Sequence, residues 1–96
     1  MASYSADRSV HKTLSGSTAD VVTLTMRSRR VEVLNRSVSS GPLSITFGTA
    51  GATPVLLADN TEIVLPSSAS SFDMPADGVI KVVGASNDYS VVAVDR

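Results

Sequence analysis

The 96 residues contain no cysteine and no tryptophan, and only two tyrosines and two phenylalanines. Without cysteine there is neither a disulfide framework nor a thiolate metal site, so nothing cross-links a weak core. Contacts with partners are the expected supplement to a stability margin that is thin at this size. With no tryptophan and few tyrosines, the exposed aromatic platform of a sugar-binding face is not expected. No apolar run approaches the roughly 18 residues needed to span a bilayer, so no membrane partner is expected. The start, Met-Ala-Ser-Tyr-Ser-Ala-Asp-Arg, lacks the charged head and apolar stretch of a signal peptide. The product is therefore expected to stay in the compartment of synthesis until something releases it.

Ionisable groups that could converge on a reaction are equally sparse. His11 is the single histidine, set between Val10 and Lys12 and far in sequence from any glycine-flanked serine. A Ser-His-Asp triad would have to be built around it, and no Gly-x-Ser-x-Gly elbow exists. Asp59-Asn60-Thr61-Glu62 lacks the spaced acids and closing glutamate of a calcium loop and reads as a turn. Gly48-x-x-Gly51 is followed by no Lys-Ser or Lys-Thr and is not a phosphate loop. No catalytic residue, metal or cofactor is expected. Asn35-Arg36-Ser37 fits the glycosylation pattern, a coincidence in a chain without an export signal.

Charge is nearly balanced at -1, which gives no global attraction to nucleic acid. Its distribution is uneven. Up to residue 40, Arg8, Lys12, Arg27, Arg29, Arg30 and Arg36 outweigh Asp7, Asp20 and Glu32 by three. Beyond it, Lys81 and Arg96 face six acids. Opposite patches of this kind can pair between neighbouring subunits. Arg27-Ser28-Arg29-Arg30 has no aromatic residue beside it to stack bases, so nucleic acid is not an expected partner.

What the chain does have is valine in short, alternating runs punctuated by Ser, Gly, Pro, Asp and Asn. No window holds a 3.6-residue apolar period. Strands are expected over Ser9–Leu14, Asp20–Met26, Arg29–Asn35 and Leu43–Phe47. A hairpin is expected from Val55–Ala58 and Thr61–Leu65 around Asp59-Asn60, then a short edge strand from Phe72 to Met74 before Pro75. Val79–Val83 and Tyr89–Val94 are apolar on both faces and belong at the centre of a sheet. Phe47, Phe72 and Tyr89 fall on inward positions. This spacing predicts one all-β domain, a small antiparallel β-sandwich or partly open β-barrel of seven to eight strands. Residues 1–7 carry no β pattern and are expected to be an extended arm on the domain of residues 8–96.

Arg30-Val31-Glu32-Val33-Leu34-Asn35-Arg36-Ser37 leads through Ser-Gly-Pro into Leu43-Ser44-Ile45-Thr46-Phe47-Gly48. Ala52-Thr53-Pro54, Pro66, Val79-Ile80-Lys81-Val82-Val83 and Tyr89-Ser90-Val91 follow. Over residues 20–94 this resembles the small β-sandwich structural proteins of tailed bacteriophages, capsid decoration (cement) proteins among them. The resemblance implies a non-enzymatic virion protein, assembled in the host cytoplasm, that binds the major capsid protein and copies of itself at capsomer junctions. Another head or tail component, or a receptor- or carbohydrate-binding module, remains the alternative. Tyr4 and Arg8 near the arm, with Arg27, Arg29, Arg30 and Arg36, are the candidate interface residues.

Overall fold

The computed structural model describes residues 2–25, 30–49, 55–56, 62–73 and 79–94. Every regular element among them is a strand. In chain order these are β1 (Ala2–Ala6), β2 (Ser9–Thr13), β3 (Asp20–Leu24), β4 (Arg30–Asn35), β5 (Leu43–Thr49), β6 (Val55–Leu56), β7 (Glu62–Val64), β8 (Ser68–Asp73), β9 (Val79–Val83) and β10 (Asp88–Val94). They form two sheets. The first runs β1-β3-β9-β5-β6, with β7 also on β5, and the second runs β2-β10-β4-β8. The all-β sandwich read from the alternating valines is the observed architecture.

The central positions follow from sequence. Valine-rich β9 lies between β3 and β5, and β10 lies between β2 and β4. A strand with apolar residues on both faces loses least by being flanked on both sides. Between the sheets lies one core, built from alternate positions: Val22 and Leu24, Val31 and Val33, Leu43 and Ile45, Ile80 and Val82, Tyr89, Val91 and Ala93. Phe47 and Phe72 pack against it and meet edge to face, 5.5 Å between centroids, which ties β5 of one sheet to β8 of the other.

Three expectations change. Ala2–Ala6, expected as an arm, is strand β1, parallel to β3 from Ala2↔Asp20 to Ala6↔Leu24. Its Tyr4 and Ala6 pack on the core, so tertiary contact supplies what its Ala and Ser residues lack in β propensity. The edge strand expected only from Phe72 begins earlier, at Ser68, as β8, which holds six consecutive rungs on β4. Val55–Leu56 and Glu62–Val64 do not face each other as a hairpin. Both lie antiparallel to β5, at its opposite ends, and so run in the same direction. The expected turn at Asp59-Asn60 lies outside the described residues.

Two buried polar clusters hold the loops to this frame. Asn87, fully buried, donates from Nδ2 to Gly41 O at 2.9 Å and to Asn35 Oδ1 at 3.1 Å, and accepts Ala85 N–H at 2.6 Å. Asn35 in turn donates to Gly41 O and Val64 O. Its side chain is thus consumed inside the protein, and the glycosylation pattern around it is fortuitous. Gly41 presents its carbonyl to both asparagines at φ +88°, a conformation that favours glycine. Gly84 passes so close to the cluster that an added Cβ would sit 2.5 Å from Asn87 Oδ1 and 3.0 Å from Leu14 Cδ1. Gly84→Ala is therefore expected to cost about 1–3 kcal/mol by overpacking, read as a lowered thermal midpoint. An unchanged midpoint would mean the close approach relaxes freely. The second cluster is a single bond across the core, Tyr89 Oη donating to Asp20 Oδ2 at 2.8 Å.

Candidate assembly surfaces

The candidate interface residues do not form one patch. Tyr4 is half-buried in β1, its ring facing the core on one side and the Lys12 ammonium, 4.7 Å from the centroid, on the other. That cation–π contact bridges the edge strands of the two sheets. Arg8 is exposed at the β1–β2 turn, and its carbonyl accepts Ala93 N–H at 2.7 Å. Arg30 opens β4, and Arg36 follows its far end. Six residues of strand set them about 20 Å apart, so they act on different ends of the molecule. Arg36 is engaged inward, donating from Nη2 to Tyr89 O at 3.1 Å. Arg27 and Arg29 lie outside the described residues.

The charge asymmetry between the halves of the chain is met in part internally. Arg30 Nη1 lies 3.4 Å from Asp73 Oδ1, an exposed pair joining the basic segment to the acidic one across β4 and β8. At such exposure the pair contributes little to stability. Asp73 and Asp88 sit at opposite ends of the second sheet, opposite Arg30 and Thr13 respectively, and make no joint site. Asp59 and Asp77 are outside the described residues.

His11 is exposed on β2, and its Nδ1 lies 2.7 Å from Ser90 Oγ on β10. The pair has the elements of a nucleophile and its base, but Ser90 is only 2% exposed. At that burial the hydroxyl, engaged with His11, has almost no surface to present to a substrate. All four aromatic rings of the chain are accounted for: Tyr89 is buried, while Tyr4, Phe47 and Phe72 are half-buried and packed on the core.

The exposed features that remain are strand edges and a few apolar side chains. β1, β2, β8 and the interrupted line of β6 and β7 bound the two sheets. Ile63 and Leu65 project from β7 and the residue after it, and Val38 is exposed in the loop after β4. The two segments are joined by Ser67 N–H donating to Ser37 O at 3.0 Å. An edge presents unpaired N–H and C=O groups whose natural complement is another extended backbone. The edge strand expected at Phe72–Met74 falls, in its described residues, in β8, which does bound the second sheet. The edges at β1 and β2 were missed because pairing order is not written in periodicity.

No protein-family model and no curated protein matches the chain. Among solved structures, a chain described under "Bacillus endospore appendages form a novel family of disulfide-linked pili" superposes with a TM-score of 0.57 at 19% identity. The match covers 94% of this chain and 87% of that one. At this identity the likeness is one of fold: this chain shares the two-sheet β architecture of an appendage protein along nearly its whole length.

Proposed function

We propose that this chain is a non-enzymatic structural subunit that works by associating with copies of itself. Its setting is the virion of a tailed phage, where it decorates the outer capsid and binds the major capsid protein at capsomer junctions. The observation that carries the self-association is the match of nearly the whole chain to a protein that forms pili. The sequence resemblance between residues 20 and 94 supplies the phage setting. Burial of Ser90 beside His11 and the inward placement of all four aromatic rings favour assembly over catalysis or glycan recognition. Many weak contacts repeated along a lattice give a stable assembly through avidity. Because the chain has no cysteine, its copies are held by non-covalent contacts, unlike the disulfide-linked pili.

The pilus-like fold favours one second reading, a filamentous part of the virion such as a tail or fibre-associated component. Light scattering and negative-stain microscopy on native material and on the purified chain separate the two. Megadalton isometric particles carrying many copies support decoration, and filaments support the second reading. A monodisperse monomer under both conditions overturns self-association altogether.

A further inference from the structure

The edges of the sandwich differ in how they are guarded. Natural edges are blunted by charge, proline or a bulge. β2 carries exposed His11 and Lys12, and β7 carries exposed Glu62 on a broken line of strand. β1 is free of charge, but Lys12 stands over its Tyr4. β8 reads Ser-Ala-Ser-Ser-Phe-Asp, with no proline and no cation, and its six unbroken rungs on β4 leave it without a bulge. Its one ionisable group, Asp73, sits at the last position and already faces Arg30. Among the described residues no strand covers its outer side.

We propose that β8 is a self-complementary docking edge: two copies pair β8 to β8, antiparallel about a two-fold axis near Ser70 and Ser71. The second sheets of the two copies then join into one sheet of eight strands. This rests on the self-association reading and names its surface. Backbone geometry sets the partner, because a row of unpaired N–H and C=O groups is satisfied by another strand edge. Charge sets the direction. Antiparallel pairing brings Asp73 opposite the Ser68 end of the partner strand, whereas parallel in-register pairing would stack Asp73 on Asp73, a like-charge contact that destabilises. Small side chains at Ser68, Ala69, Ser70 and Ser71 let the two backbones approach without a clash. An isologous contact of this kind is closed, so it builds a dimer that other surfaces then place in a larger lattice.

Single-cysteine variants of the full chain test this directly, since the absence of native cysteine makes every cross-link report the introduced thiol. Ser68→Cys, Ser70→Cys, Ser71→Cys and Asp73→Cys are oxidised under mild conditions and run on a non-reducing gel, with light scattering in parallel. A covalent dimer is expected at Ser70→Cys or Ser71→Cys and none at the ends. Across the two-fold, each end residue lies roughly five residues of rise, or about 17 Å, from its own mate, well beyond the Cα separation a disulfide spans. Equal cross-linking at all four positions would mean parallel pairing and overturn the proposal. Oligomers without cross-links would place the contact elsewhere and overturn it too. A chain that scatters only as a monomer would overturn the self-association reading itself.

Discussion

Asn87→Leu is expected to destabilise the protein by about 3–4 kcal/mol, because it removes hydrogen-bond partners from buried groups without changing side-chain size much. The asparagine satisfies Ala85 N–H and Gly41 O and donates to Asn35, so one side chain anchors the loops before β5 and before β10. Its own carbonyl also accepts Leu14 N–H at 2.9 Å, which fastens the segment after β2. Leucine leaves Ala85 N–H unpaired and places an isobutyl group against two oxygens. Gly41 O keeps its bond from Asn35, which limits the damage. Against a total stability of roughly 5–15 kcal/mol for a domain, the loss is large, and a urea titration reads it as a lowered midpoint with unchanged slope. A loss under about 1 kcal/mol would show that water or rearranged backbone replaces the asparagine.

Tyr89→Phe is the second large effect, expected at about 2–3 kcal/mol, since it strips the hydroxyl from Asp20 while both residues remain buried. The tyrosine also carries a pH signature. Burial, then the hydrogen bond to Asp20 and the charge of that carboxylate, push its phenol far above the ordinary value of 10.0. The folded state therefore keeps a proton that the unfolded chain releases. The contribution is fully present below pH 10 and drains away as the pH rises toward the raised folded value, at about 1.4 kcal/mol per pH unit for one site. Urea midpoints of the parent measured from pH 9 to 11.5 should fall more steeply than those of Tyr89→Phe. Parallel curves would mean that Tyr89 ionises in the folded protein as readily as in the unfolded one.

These two clusters mark where sequence reading reaches its limit. The core strands were legible because their signal is local: Leu43 to Phe47 alternates cleanly, and Val79–Val83 and Tyr89–Val94 carry apolar residues on both faces. Asn87 and Asn35 are 52 residues apart, and in sequence each looks like an ordinary turn or strand-end polar residue. Asp20 shares the parity of inward Val22 and Leu24, which was a usable sign, but its partner Tyr89 lies in the last strand. β1 and the Ser68–Ser71 start of β8 were obscured for the opposite reason. Their Ala and Ser residues have little β propensity of their own, and pairing with β3 and β4 makes them strands. Asp59-Asn60 gave a strong turn signal between two β runs, yet those runs lie along one partner, β5, in the same direction. Among the interface residues, the Arg27–Arg36 region looked like one basic patch in the sequence. Strand extension separates its described members, and Arg36 is spent on the backbone of β10.

The placement of β9 and β10 at the two sheet centres governs when this chain can fold. Residues 2–73 supply β1 beside β3, β5 with its two short companions, β4 beside β8, and a lone β2. Each sheet is in two pieces until residues 79–94 arrive, and the missing strand in each case bridges the pieces. Until those two strands are in place the chain carries open strand borders, with loop-closure entropy still unmet. Closing each sheet requires a valine-rich strand to enter between partners that come earlier in the sequence, a topology that favours slow folding over rapid local collapse. In that interval the half-built sheets expose edges that pair as readily with another chain as with the strands still to come.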